Sequence, residues 1–371
     1  MKVSVLAADL SDNATGRADL LARLLSARYE VEVIGPCFGA EVWMPARDGA
    51  IAQRSVAVGR YPGFARRIPA LLDLVDGDVL VASKPRPTSF GLGLLARARR
   101  RRPLVLDIDD WEVGFFYRSG AWGRLGRFLN LANPNGLPWT WLMERLVPLA
   151  SGLTVASRFL EARFGGTLIP HVRDTELWAP GRFDPAAGRA ALGAGDRRIV
   201  MFLGTARAYK GVEDLVAAVR RLGRADVMLA LVGAGRRWAQ GPQVIATDPI
   251  PFDDVPRYLA AADVVAVPQR ATSDTVGQMP AKIFDALALG RPVVSTRVSM
   301  IPEVLDGCGL VVPPGDPPAL AAAIGRLLDD QALARELGAR GRVRCEALYS
   351  FAAARARLFP LVERVAASGR P

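Results

Sequence analysis

Short apolar runs alternate with amphipathic helical patterns along almost the whole chain. This alternation constrains the fold most, because repeated β-α units bury parallel strands beneath their crossover helices. In the first half, strands are predicted at Val3–Ala7, Val31–Ile34, Val79–Ala82, Leu104–Ile108 and Leu153–Ala156; a second series runs Ile199–Leu203, Val227–Val232, Val264–Val267, Val293–Ser295 and Leu310–Val312. Between the two series, Pro170–Gly195 is rich in Pro, Gly and Ala and lacks periodicity, as an interdomain linker does. The chain therefore reads as α/β, with two Rossmann-like domains whose parallel sheets face a central cleft. The expected boundaries are 1–170, a linker at 171–195, and a second domain at 196–345. A length of 371 residues suits two domains. Ligands bind beyond the carboxyl ends of such strands, which makes the cleft the default site.

Composition removes several classes of function. Gly and Pro together make 63 of 371 residues, too few for low-complexity disorder. Cys37, Cys308 and Cys345 are scattered and form no C-x-x-C pair, so neither a disulfide framework nor a cysteine zinc site is indicated, and a reducing, cytoplasmic setting fits. His171 is the single histidine, which excludes multi-histidine metal sites and H-E-x-x-H chemistry; it reads as structural. The apolar run Val3–Ala8 is too short for a secretory signal, and no run reaches the ~20 residues of a spanning helix. The net charge of +11 is spread evenly, with 24 Lys/Arg against 19 Asp/Glu in residues 1–185 and 24 against 18 in the rest, so no basic arm suggests nucleic acid. The dense cluster Arg97–Arg102 reads as a solvated helix C-terminus complementing the helix dipole. Peripheral contact with an anionic membrane, at its inner face, is the sharper alternative. In Phe115–Pro148, the aromatics Phe115, Phe116, Trp122, Trp139 and Trp141 are interleaved with Gly, Asn and Pro. They suit either a packed excursion or an acceptor- or membrane-contacting surface.

Three segments could carry chemistry. Ser273–Met279 leads into a helix predicted at Pro280–Leu289, with Pro280 suited to the first turn and Gly290 to the left-handed position past the end. Its N-terminus would attract an anion. Lys282 and Asp285, three apart, share a face: one suits phosphate, the other sugar hydroxyls. Gly204–Gly211 also joins a strand to a helix and offers Arg207 as a bidentate fork and Lys210 as a compact charge, both suited to a diphosphate. Ser11–Gly16 opens a helix predicted at Arg17–Arg28, and Gly16 would admit a ligand close to the backbone. Gly233-Ala234-Gly235 lacks the third glycine of a dinucleotide fingerprint, Trp238 standing there, which disfavours an oxidoreductase.

The segment Ile199–Asp330 resembles the donor-binding domain of glycosyltransferase family 4. The resemblance rests on Phe202-Leu203-Gly204 with Lys210-Gly211-Val212-Glu213, on Leu231–Gly235, on Asp285–Val294, and on Ile301–Val304 with Gly309–Pro313. In the first half it is carried by Gly16, the Asp107–Trp111 turn and Ile169–Pro180. The resemblance implies a GT-B fold, a closing helix at 346–371 returning to the first domain, and a retaining, metal-independent transfer from a nucleotide-sugar donor. It implies no cofactor. The acceptor would be a glycan, lipid-linked or small-molecule hydroxyl held by the first domain. Of the family's paired glutamates, the ribose-binding one matches Asp285, while the one associated with the donor sugar falls on Gly277; Asp274 or Gln278 could supply that contact. The expected arginine is Thr205, with Arg207 two residues on, and the family's first-domain histidine is replaced by Asp109 beside Asp110. The resemblance thus implies Lys210, Arg207 and Asp109 as catalytic residues. For donor binding it implies Gly16, Gly204, Thr205, Gly235, Gly277, Gln278, Met279, Lys282 and Asp285.

Two other readings remain. Asp107-Ile108-Asp109 resembles the nucleophile turn of haloacid-dehalogenase-like phosphatases, which would need magnesium. Gly277 is compatible with a catalytically silent GT-B binding subunit.

Overall fold

The computed structural model describes residues 1–43, 50–117 and 126–368; Trp122 lies outside them. Among the described residues the chain forms two compact units, Met1–Pro170 with Ala354–Pro371, and His171–Ala353. The first holds β1 (Lys2–Leu6), β2 (Glu30–Cys37), β3 (Ala52–Ala57), β4 (Val79–Ser83), β5 (Leu104–Ile108), β6 (Gly152–Val155) and β7 (Thr167–Leu168). The second holds β8 (Arg198–Leu203), β9 (Val227–Val232), β10 (Val244–Ala246), β11 (Val264–Val267), β12 (Val293–Thr296) and β13 (Leu310–Val312). Their orders are β3-β2-β1-β4-β5-β6-β7 and β10-β9-β8-β11-β12-β13, and the pairs are parallel.

Every residue of β4, β5, β9 and β11 is buried, which is how a central parallel strand covered by helices on both faces must read. The ten predicted strands are all present, with ends shifted by three residues at most. The three that periodicity missed, β3, β7 and β10, are three of the four sheet edges, β13 being the fourth. They are short or half-exposed, so their sequences Ala-Gln-Arg-Ser-Val-Ala, Thr-Leu and Val-Ile-Ala carry little apolar signal.

Some local expectations change. The helix predicted at Arg17–Arg28 runs Thr15–Leu25, and the one at Pro280–Leu289 runs Ala281–Ala288, with Pro280 as its N-cap and Gly290 at φ +62°. The stretch read as a linker, 171–195, is built into the second unit. It contains the helix Pro185–Ala191, packed so closely that a Cβ on Gly188 would lie 2.4 Å from the Arg257 carbonyl oxygen. In the last helix, Phe351–Ser368, residues from Ala354 onward belong to the first unit, where Leu361 and Val365 press against Gly152. In the described part of the excursion after Phe115, Trp139 donates to the Leu131 carbonyl and tilts against Tyr61, while Phe128, Leu129 and Leu131 are exposed and Trp141 is exposed beneath Arg145. All three cysteines are free and buried.

In each sheet the order reverses between two adjacent strands, β1 and β4 in the first, β8 and β11 in the second. The carboxyl ends of those strands open a crevice.

Candidate functional site

The second unit's switch point is lined by two of the segments singled out above. Gly204 follows β8 with φ +117°, a conformation that suits glycine. A Cβ built there would sit 3.6 Å from Lys282 Cε and 3.8 Å from Lys210 Nζ, so both lysines reach the same small space over the backbone. Gly211, at φ +65°, turns the chain after Lys210; its Cβ position lies 1.9 Å from the Pro268 carbonyl oxygen, which only a hydrogen tolerates. This tight approach ties the Lys210 loop to the loop leaving β11.

Lys210 is half-buried, and burial followed by the charges of Arg207 and Lys282 pushes its ammonium down to about 8. Three cations converging on one crevice raise one another's energy, and an anion with several oxygens would relieve it. Arg207 is exposed, with Nη1 3.3 Å from the Tyr209 hydroxyl. On the helix Ala281–Ala288, Lys282 Nζ stands 3.5 Å from Asp285 Oδ2. Asp285 is fully buried, and its Oδ1 accepts from Arg173 Nε, a partner that sequence reasoning missed.

Thr205 and Gly235 line a cavity of about 420 Å³ that Gly233, Arg236, Arg237, Asp248 and Pro249 complete, and it adjoins Gly204, since a Cβ on Gly233 would lie 3.6 Å from Gly204 Cα. Gly204, Arg207, Lys210, Lys282 and Asp285 thus group around the lysines, and Thr205 and Gly235 line the adjoining cavity. The loop bearing Gly277 and Gln278 is held by its own polar groups. Thr272 donates to Asp274 at 2.5 Å, and Thr275 donates to the Arg270 carbonyl at 2.7 Å. Asp274, Gly277 and Met279 are buried, and Gln278 is half-buried.

In the first unit, Gly16 packs beneath Trp43, and the next residue, Arg17, is buried. Its guanidinium forms a fork on Asp107, 2.9 Å from Oδ2 and 2.8 Å from Oδ1, and also donates to the Ile169 and Pro170 carbonyls. Thr154 donates to the same Asp107 at 2.6 Å. Asp107 is therefore a buried anchor with both oxygens engaged, an arrangement unsuited to a nucleophile.

Asp109 is buried in a cluster at the carboxyl ends of β4 and β5. Lys84 Nζ lies 2.6 Å from Asp109, 2.8 Å from Glu112 and 3.2 Å from Asp110, and Arg86 forks onto Glu112. The three carboxylates approach within 4.8 Å of one another, as metal ligands do, but the Lys84 ammonium takes the place of the cation. Burial opposes the charge on Lys84, yet Asp109, Glu112 and Asp110 hold its ammonium well above the usual lysine value. Burial pushes Asp110 up to about 6 against the pull of Lys84, and Asp109 adds to the push. Lys84 itself has φ +75°, a strained conformation for a lysine. Its signal in the sequence was a charged pair, Lys84 and Arg86, directly after a buried strand.

Comparison with known proteins places these features in context. Residues 197–330 match the family described as glycosyl transferases group 1. The chain is 31% identical to the GDP-mannose-dependent alpha-(1-6)-phosphatidylinositol monomannoside mannosyltransferase of Mycolicibacterium smegmatis, over 85% of each chain. It is 30% identical to D-inositol 3-phosphate glycosyltransferase 1 of Catenulispora acidiphila, over 80% of this chain and 84% of that one. Among solved structures, sucrose-phosphate synthase from Thermosynechococcus elongatus superimposes with a TM-score of 0.74 at 20% identity, covering 99% of this chain and 100% of that one. Anabaena HepE in complex with UDP-glucose gives 0.72 at 18% identity, covering 99% and 100%. These likenesses show a two-domain, Rossmann-like GT-B fold.

Proposed function

The chain belongs to the glycosyl transferases group 1 family, and from that premise we propose that it moves a hexosyl group from a nucleotide-diphosphate sugar to a hydroxyl acceptor, with retention and without a metal. The observation that carries this reading is the half-buried Lys210, depressed to about 8 and facing Lys282 across Gly204. As the glycosidic bond breaks, charge accumulates on the departing diphosphate. Cations already in place stabilise that charge more than they stabilise the intact donor, and so lower the barrier. Lys210, Lys282 and Arg207 would do the work a metal does elsewhere. In a retaining transfer the acceptor attacks on the face the diphosphate leaves, where a donor phosphate oxygen can take the hydroxyl proton.

The first unit would hold the acceptor, with Asp109 and its neighbours oriented by Lys84 to accept hydrogen bonds from it. The mannosyltransferase relative acts on a phosphatidylinositol mannoside and the second relative on an inositol phosphate, which favours a polyol or lipid-linked acceptor here. Among the described residues no helix is long and apolar enough to cross a membrane. A cavity of about 280 Å³ lined by Arg97, Arg101, Arg102, Pro103, Ser151 and Ser368 would suit a peripheral position at an anionic, cytoplasmic membrane face.

The test is turnover of GDP-mannose, UDP-glucose, ADP-glucose and TDP-glucose with inositol, inositol phosphate and phosphatidylinositol mannoside acceptors, in buffer with EDTA. Transfer that persists in EDTA and yields the donor's own anomer is expected. Tight donor binding with no transfer to any of these acceptors would instead favour a silent binding subunit, the reading that Gly277 keeps open.

A further inference from the structure

Asp285 is fully buried, and its two oxygens are treated differently. Oδ1 accepts from Arg173 Nε, whereas Oδ2 has no hydrogen-bond partner among the described residues and faces only the Lys282 ammonium, 3.5 Å away. A buried carboxylate oxygen left without a donor is costly, so such an oxygen marks a place where a donor from outside is accommodated.

The arginine is held from several sides. Nη1 donates to the Val172 carbonyl at 2.7 Å, and the guanidinium carbon lies 5.5 Å from the Trp178 ring and 5.7 Å from the Phe252 ring. Its backbone is clamped too: the Arg173 amide donates to the Tyr349 carbonyl, and its carbonyl accepts from the Phe351 amide. A planar cation fixed in this way presents Nε in one direction, which a lysine at the same position would not do. Lys282 is the movable member, with a third of its side chain exposed and its Cε beside the Gly204 position that Lys210 also reaches.

We propose that Arg173 is a positioning residue for Asp285: by engaging Oδ1 it turns Oδ2 toward the crevice, where Oδ2 accepts a ribose hydroxyl of the nucleotide once Lys282 swings from it to the diphosphate. This inference rests on the donor-binding reading above and adds to it the residue that orients the carboxylate. An aspartate reaches less far than a glutamate, and a fixed orientation lets the shorter side chain serve.

The experiment compares calorimetric affinities of GDP and UDP with those of their 2′,3′-dideoxy counterparts, and with inorganic pyrophosphate, for the full chain and for Arg173→Ala and Arg173→Lys. The wild type is expected to prefer the ribose forms by about tenfold, as a hydroxyl donating to a carboxylate should give. Arg173→Ala is expected to erase most of that preference while changing pyrophosphate affinity less than about threefold. Arg173→Lys retains the charge and the stem over Trp178, so it guards against a mere folding defect; its preference should also fall. If the wild type discriminates and both variants discriminate equally well, Arg173 is only structural and the inference is overturned while the donor reading stands. If the wild type binds neither diphosphate, the donor reading fails and takes the inference with it.

Discussion

Raising the pH should release the donor, and the effect should pass through Lys210. Its ammonium, pushed down to about 8 from an ordinary 10.5, is mostly charged at pH 7 and mostly neutral at pH 9. An intact nucleotide sugar carries no phosphate proton in this range, so the protein alone titrates. If binding requires the charged form, apparent affinity should fall about tenfold between pH 7 and pH 9, the ratio of protonated fractions for a group at about 8. Arg207 and Lys282 set the remaining affinity. Calorimetric titration of GDP-mannose or UDP-glucose across pH 6.5–9.5 reads the slope directly. Lys210→Arg, charged at every pH used, should flatten it. The stability side has the opposite sign. Because the folded value is the lower one, the unfolded chain binds more protons between about pH 8 and 10.5, so this group's penalty on the fold is full below pH 8 and fades above it. Lys210→Met should therefore stabilise the ligand-free protein at pH 7, by about 1–2 kcal/mol after allowing for solvent screening, while weakening donor binding. A flat affinity profile in the wild type, or the same slope in Lys210→Arg, would refute the reasoning.

Other outcomes follow from buried charge and close packing. Asp107→Asn keeps the shape but leaves Arg17 buried without its counter-ion, and should destabilise the first unit by about 3–5 kcal/mol in a guanidinium titration. A loss below about 1 kcal/mol would show that Asp107 is not the anchor described. Gly211→Ala places a methyl group 1.9 Å from the Pro268 carbonyl at φ +65° and should cost more than about 2 kcal/mol while displacing Lys210. Unchanged melting and donor affinity in that variant would remove the link between the two loops.

The candidate site was legible where its chemistry is local. Gly204 with Lys210 and Gly211, and Pro280 with Lys282 and Asp285, each lie within a few residues of a strand end or helix start, so caps, glycines and charges could be read together. The Asp107-Ile108-Asp109 turn shows the opposite case. Two nearby carboxylates suggested a shared role, yet Asp107 pairs with Arg17, 90 residues away, and Asp109 pairs with Lys84, 25 residues away. Arg173 went unnoticed for the same reason, since Asp285 is 112 residues distant.

The amino-acid pattern by itself determined the two series of buried parallel strands and the helix between Pro280 and Gly290. These follow from periodicity and backbone preference, which act over a handful of residues. Tertiary structure alone decided which strands became edges and which cation met which carboxylate. Those outcomes depend on strand order, because the reversal at each switch point brings together chain ends whose separation in sequence carries no trace of their meeting.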